Sequence, residues 1–236
     1  MPVLLSLETS TDVCSVAVHD AGNLVAIAEV HMGQAHASKL ASLIKEATKD
    51  AGVSMADLSA VAVAAGPGSY TGLRIGTSTA KGLCFALAIP LISVGTLDVM
   101  AAAMQSAVPE RTSSLCPMID ARRMEVYCAL YDSAGRRLTA VEALVIDEHS
   151  FAEQLSKGPI AFGGNGSDKC RAVITHPHAS FVPGVYPSAR QLGALASQKL
   201  ANGNVEDLMR FEPFYLKEFK AKLPGNIIAP AVNKPA

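Results

Sequence analysis

The sequence predicts a two-lobed, duplicated α/β fold in which each lobe carries a mixed sheet that opens in a three-stranded meander and is flanked by helices. Three observations predict it. Each half opens with a buried-strand run ending on an acid: Val3-Leu4-Leu5-Ser6-Leu7 before Glu8, and Leu115-Cys116-Pro117-Met118-Ile119 before Asp120. In each half an aspartate opens a turn twelve residues after that acid, Asp20 and Asp132. The first half then runs strand, helix, strand, the order of a parallel crossover. The alternative is two unrelated meanders that share a spacing.

The elements follow in order. Cys14–Val18 reads as the second strand, and Asp20-Ala21-Gly22-Asn23 turns into a third, Leu24–Ile27. From Gln34 to Ala51, Leu40, Leu43, Ile44, Ala47 and Ala51 recur at helical spacing, with charged residues elsewhere and Gly52 as a stop. A short segment, Met55 to Leu58, leads into the strand Val61–Ala65, a glycine-rich turn, a helix to Leu87, and the strand Leu91–Val94. In the second half the expected elements are Val126–Leu130, a turn at Asp132–Gly135 before Arg136-Arg137-Leu138, Ile160–Phe162, the turn Gly163-Gly164-Asn165-Gly166, and a helix from Ser188 to Ala201. The domain reading is 1–108 for the first lobe and 109–223 for the second, whose last helix is free to pack back on the first. The tail 224–236 holds three prolines and little to bury, which predicts disorder.

Half of the 236 residues are hydrophobic, enough for sizeable cores without metal or disulfide. No apolar run reaches the roughly 20 residues of a membrane helix, and the first residues lack a basic start, so a soluble, cytoplasmic protein is expected. The five cysteines show no CxxC spacing and lie mostly in apolar segments, as core residues of a reducing compartment do. A net charge of -1 supplies no general field for nucleic acid.

The turn GPGSYTGLRIG, Gly66 to Gly76, stands where a phosphate cradle would. It is not a Walker loop, because Leu73-Arg74 rather than lysine and a hydroxyl residue follow Gly72. It is not a dinucleotide fingerprint either, because Thr71 stands where the third glycine is needed. What survives is a helix start with Ser69 or Thr71 as candidate caps, and a small-residue stripe of Gly72, Gly76 and Ala80. Helix packing and ligand binding compete for those glycines.

Leu7-Glu8-Thr9-Ser10, the eleven residues Gly66–Gly76, Asp120-Ala121-Arg122-Arg123, Phe162-Gly163-Gly164-Asn165-Gly166 and Pro213-Phe214-Tyr215-Leu216 together resemble the TsaB (YeaZ) family, in family order over nearly the whole chain. The resemblance implies a duplicated fold like that of actin, Hsp70 and sugar kinases. It also implies a role in forming threonylcarbamoyladenosine beside the tRNA anticodon, as a non-catalytic partner of the transferase TsaD in a complex with the ATPase TsaE. On that reading the chain needs no cofactor, ATP or ADP binds at the complex interface, tRNA is met only through the complex, and homodimers form when TsaD is absent.

The same resemblance marks Glu8, Thr9, Ser10, Gly66, Gly68, Ser69, Asp120, Gly163 and Gly164 as a candidate vestigial nucleotide site. Neither acidic hairpin carries the glycine that lets backbone amides approach a phosphate, since Thr9-Ser10-Thr11 and Ala121-Arg122-Arg123 follow the acids. Aligned on Val94, the two metal-binding histidines of TsaD fall at Thr96 and Met100, a poor and an unsuitable ligand for a hard cation. His31, His36, His176 and His178 do not restore the site.

A glycoprotease-like peptidase is an alternative without an identifiable base for Ser69, and a small-molecule kinase is one by fold analogy alone. For partner binding, the resemblance selects the two helices at His36, Leu40, Leu43, Ile44, Ala47, Gly72, Arg74, Ile75, Gly76, Thr79 and Ala80. The competing reading is that the Leu40 stripe covers its own sheet, and a face shared between both uses is the third. Arg122-Arg123, Arg136-Arg137 and the lysines 217, 220 and 222 are a tRNA hypothesis against the plain reading of solvated turns.

Overall fold

The computed structural model describes residues 2–31, 36–108 and 112–217. The tail 224–236, Gln34, Lys220 and Lys222 lie outside the described residues.

Lobe 1 contains β1 (Val3–Glu8), β2 (Val13–Asp20), β3 (Asn23–His31), α1 (His36–Asp50), β4 (Ala60–Ala64), α2 (Tyr70–Leu87) and β5 (Leu91–Val94). Next comes α3 (Thr96–Gln105). Lobe 2 contains β6 (Ser114–Asp120), β7 (Glu125–Cys128), β8 (Tyr131–Asp132), β9 (Glu142–Val145), α4 (Ala152–Lys157), β10 (Ile160–Gly163) and β11 (Ala179–Val182), and α5 (Ala189–Ala201) follows.

The first sheet runs β3-β2-β1-β4-β5 and the second β9-β7-β6-β10-β11, with β8 pairing the start of β6. In both, the central strand is antiparallel to the neighbour that follows it in the chain and parallel to the strand on its other side. The duplication read from Glu8 and Asp120 is therefore present strand for strand, each acid being the last residue of its central strand. The third strand of the second meander differs from expectation. Arg136-Arg137-Leu138 is not a strand, and β9 takes that place. The segment folds back on the chain after β7 but makes only an isolated antiparallel bridge, Arg137 with Tyr131, beside the Leu138 N–H to Leu130 carbonyl bond at 2.7 Å; Leu130 N–H donates to the Thr139 side chain at 2.9 Å instead of to a backbone carbonyl, so the ladder stops there.

Each lobe lends a helix to the other. One face of sheet 1 buries Leu5, Leu7, Val16, Val18, Val61 and Val63 under α1 and α2. Its other face packs Leu4, Ala62, Ala64, Ile92 and Val94 on Leu192 and Ala196 of α5, a helix that comes after lobe 2 in the chain. In turn α3, which follows lobe 1, buries Leu97, Met100 and Met104 against Leu115, Ile119, Tyr131 and Ala161 of sheet 2. Polar locks fix both exchanges. The Tyr131 hydroxyl donates to Asp98 of α3 at 2.8 Å, and Ala189 N–H at the start of α5 donates to Ser15 Oγ at 3.1 Å. With β4 reading Ala-Val-Ala-Val-Ala and buried throughout, sheet 1 has the double-sided cover expected of parallel strands.

Candidate functional site

A cleft of about 890 Å³ lies between the lobes beyond the ends of the central strands. Its walls are the β1–β2 turn (Ser10, Thr11, Asp12), the glycine turn (Pro67–Thr71), the β6–β7 hairpin with Asn165, and residues Phe214–Lys217. This is where the fold would place a ligand, and three positions decide whether a phosphate fits.

The inner side of the glycine turn, away from the cleft, is filled by the protein itself. Ser69 N–H, at the start of α2, donates to the Ser10 carbonyl at 2.7 Å, and Ser69 Oγ caps the helix by accepting from Gly72 N–H at 3.3 Å. Thr9 Oγ1 donates to the Gly72 carbonyl at 2.8 Å. A Cβ on Gly68 would fall 2.2 Å from the Ser10 carbonyl oxygen, on Gly72 2.0 Å from that of Thr9, and on Gly76 2.3 Å from Thr9 Oγ1. The small-residue stripe thus admits the β1–β2 turn against the helix, and helix packing wins over ligand binding at these glycines. Gly66, with φ +106°, is left-handed, and the Phe214 carbonyl oxygen lies 2.6 Å from where its Cβ would be.

Glu8 is fully buried and does not line the cleft. Its Oε1 accepts from Ser10 N–H at 2.7 Å and from Ser10 Oγ at 2.5 Å, while Oε2 has no hydrogen-bond partner among the described residues. Burial pushes the carboxyl up from 4.5 to about 7, against the opposing pull of the Ser10 bonds. The folded state therefore holds a proton that the unfolded chain releases, so the contribution of Glu8 to stability is full below pH 4.5 and is lost as pH rises to about 7. At about 1.4 kcal/mol per pH unit the loss is roughly 3 kcal/mol. Glu8→Gln keeps the acceptor for Ser10 and removes the charge. It is expected to flatten the decline between pH 5 and 7 and to be the more stable protein at pH 8 by about 1–2 kcal/mol in urea titrations. A less stable variant at pH 8 would mean that the carboxylate has a favourable partner there.

Asp120 is engaged differently. Its Oδ1 accepts from Arg122 N–H at 3.1 Å and pairs with Lys169 Nζ, and its own N–H donates to Asn165 Oδ1 at 3.0 Å. The carboxylate organises its hairpin, in which Arg122 and Arg123 adopt positive φ of 76° and 51°. Gly163 ends β10, and Gly164 lies against Met118, whose carbonyl oxygen would be 2.3 Å from a Cβ there. Thr96 and Met100, at the positions of TsaD's histidines, are both fully buried, Met100 within the α3 core. Among the described residues no three His, Cys, Asp or Glu side chains are grouped to hold a metal ion. His36 is buried, with Nε2 bonded to the Thr11 carbonyl at 2.7 Å, and His178 bonds the Leu155 carbonyl at 2.8 Å. Ser69 is a helix cap, and burial holds the Cys14 and Cys84 thiols up at about 11, leaving neither poised as a nucleophile.

Most of the residues expected at the partner surface lie inside the fold. Leu40, Leu43, Ile44 and Ala47 are all buried in the core beneath α1, because they are that helix's only apolar stripe and sheet 1 needs cover. Gly72, Gly76 and Ala80 likewise face inward, as does His36. Of the expected set, Arg74 is exposed and Ile75 and Thr79 are half-buried. The exposed residues of the pair include the small Ala37, Ala41, Ser42, Thr71 and Ser78 beside Arg74, together with charged Lys39, Lys45, Glu46, Lys49 and Asp50 and the exposed Phe85. Arg74 is held there, its guanidinium 4.5 Å from the Tyr70 ring centre and hydrogen-bonded to Tyr215, whose ring lies 5.0 Å from that of Tyr70. Sequence periodicity found the stripe but not which way it turned. Among the cations, Arg136 pairs with Asp132, Arg137 with Asp98 and Lys217 with Glu125.

The sheets and cleft define a two-lobed, duplicated α/β protein with the fold of sugar kinases, in which the β1–β2 turn packs into the glycine turn. At the level of fold, a solved polyphosphate/ATP-glucomannokinase from Arthrobacter aligns over 86% of this chain at a TM-score of 0.50 and 14% identity. Residues 30–224 match the family model of TsaD, tRNA N6-adenosine threonylcarbamoyltransferase. The chain is 31% identical over 232 residues to the tRNA threonylcarbamoyladenosine biosynthesis protein TsaB of Escherichia coli, covering 94% of this chain and 98% of that one. It is 36% identical to the TsaB of Haemophilus influenzae over 52% of this chain and 51% of that one. The solved YeaZ from Pseudomonas aeruginosa aligns with 92% of this chain and all of its own, at a TM-score of 0.80 and 28% identity. The chain belongs to the TsaB (YeaZ) family. No helix among its described residues is long and apolar enough to cross a membrane.

Proposed function

We propose that this chain serves tRNA threonylcarbamoyladenosine biosynthesis as a non-catalytic partner of TsaD, working with TsaE. The observation that carries the reading is the occupation of the glycine turn: Ser10 and Thr9 fill the space at the α2 N-terminus that a phosphate would need. The self-bonded Glu8 and the Lys169-paired Asp120 support it. A chain that retains the two-lobed shape but closes its own phosphate positions is suited to binding a related protein. The likeness of residues 30–224 to the TsaD family and the names of the chain's relatives support TsaD as that protein.

On this reading the outer face of α1 and α2 meets TsaD, and in its absence a second copy of the chain. Small side chains there permit close helix approach, and a pre-ordered arginine suits an interface anchor. The chain carries no cofactor of its own, ATP or ADP sits at the interface of the assembly, and tRNA is engaged through the complex in the cytoplasm. Calorimetric titration of TsaD into the chain tests the partnership: saturable one-to-one binding is expected, and no heat or co-elution at tens of micromolar would contradict it.

A further inference from the structure

The segment after α5, residues 203–217, returns along lobe 1 as a strap with one hydrogen-bonded turn at 207–211. Glu206 N–H donates to the Leu91 carbonyl at 2.8 Å, and its carboxylate accepts from Ser93 Oγ at 2.5 Å. Lys81 of α2 donates to the carbonyls of Met209 at 3.3 Å and Phe211 at 3.1 Å, and Phe214 N–H donates to the Ala65 carbonyl at 2.7 Å. Beyond Phe214 the strap becomes a wall of the cleft, and Lys217 reaches lobe 2 to pair with Glu125. Glu125 closes the hairpin bearing Asp120 and Arg122: its carbonyl accepts from Ala121 N–H at 3.0 Å and its N–H donates to the Arg122 carbonyl at 3.1 Å. Between these ends, Tyr215 joins Tyr70 and Arg74 on α2. Contacts therefore run unbroken from the exposed face of α2 to the far lip of the cleft.

We propose that the strap is a closure of the interlobe cleft, latched by the Lys217–Glu125 ion pair and held in place by Tyr215 on α2, so that a protein seated on Arg74 sets how far the cleft opens. A partly exposed ion pair is weak by itself, so the latch opens readily and the tyrosine anchor decides its position. Such an element belongs to the low-stability end of the molecule, where a few contacts shift the open population.

Hydrogen exchange of the isolated chain tests this without any partner. Lys217→Ala and Tyr215→Ala are each expected to speed exchange in residues 120–128 and 211–217 by about tenfold, with the β4 amides unchanged as a check on folding. Tyr215→Phe retains the ring and is expected to leave residues 120–128 closer to wild type than Tyr215→Ala. Acceleration at 120–128 in Tyr215→Ala reads the coupling, because that side chain is anchored on α2. Wild-type exchange at 120–128 in both alanine variants would overturn the closure. A second arm rests on the TsaD reading: bound TsaD is expected to slow exchange in both segments. Binding without slowing counts against the coupling, whereas failure to bind counts against the functional reading and leaves the first arm decisive.

Discussion

Alanine at Gly72 and alanine at Gly82, ten residues apart on one helix, are expected to move stability in opposite directions. Intrinsic propensity favours alanine at both by up to about 1 kcal/mol. At Gly82 no described residue lies within 4 Å of the new Cβ, so that gain is expected in full. At Gly72 the new Cβ would sit 2.0 Å from the Thr9 carbonyl oxygen and 3.3 Å from the His36 ring. A backbone oxygen cannot swing aside as a side chain can, so the β1–β2 turn must lift from α2. That breaks the Thr9 hydroxyl bond to the Gly72 carbonyl and strains the Ser69–Ser10 bond. The net loss is expected at about 3–5 kcal/mol, measured by urea unfolding, with Gly82→Ala at or above wild type. A Gly72→Ala protein as stable as wild type would mean that the glycine turn is not filled by its own hairpin and is open to a ligand.

A charge placed on the outer face of the two helices is expected to remove TsaD binding while leaving the fold intact. Ala41→Glu with Ser78→Glu changes two exposed positions and touches neither the Leu40 stripe nor the Thr9 contact. Stability is therefore expected within about 1 kcal/mol of wild type. Affinity for TsaD is expected to fall about 100-fold, some 2.7 kcal/mol, because two unpaired carboxylates would be desolvated at a close helix contact. Self-association should fall with it. Leu40→Glu is the wrong probe, since it buries a charge in the core and unfolds the lobe before any partner is met. Undiminished TsaD binding by the double variant would move the interface elsewhere on the molecule.

The duplication was legible from the paired acids because a strand end followed by a turn is a local pattern, and each lobe repeats it at the same spacing. The helix α3 was not, since Leu97, Val99, Met100, Ala101 and Met104 are buried on several sides and leave no polar stripe to mark a period. Nor was the exchange of α3 and α5 between lobes, which depends on contacts remote in sequence such as Tyr131 with Asp98. The glycine turn was found by composition, but composition could not say what fills it. Ser10 and Thr9 lie about sixty residues away, and only the fold brings their carbonyls to Ser69 and Gly72. The same limit applied to α1, where an apolar stripe is equally suited to a sheet or to a partner until the strands beneath it are known.

The central claim is that this chain activates TsaD without chemistry of its own. The most direct test is threonylcarbamoyl transfer to tRNA by purified TsaD and TsaE with a source of threonylcarbamoyl-adenylate, with and without the chain. Transfer that depends on the wild-type chain and is lost with Ala41→Glu/Ser78→Glu is the predicted result. Transfer at the same rate in the chain's absence would contradict it.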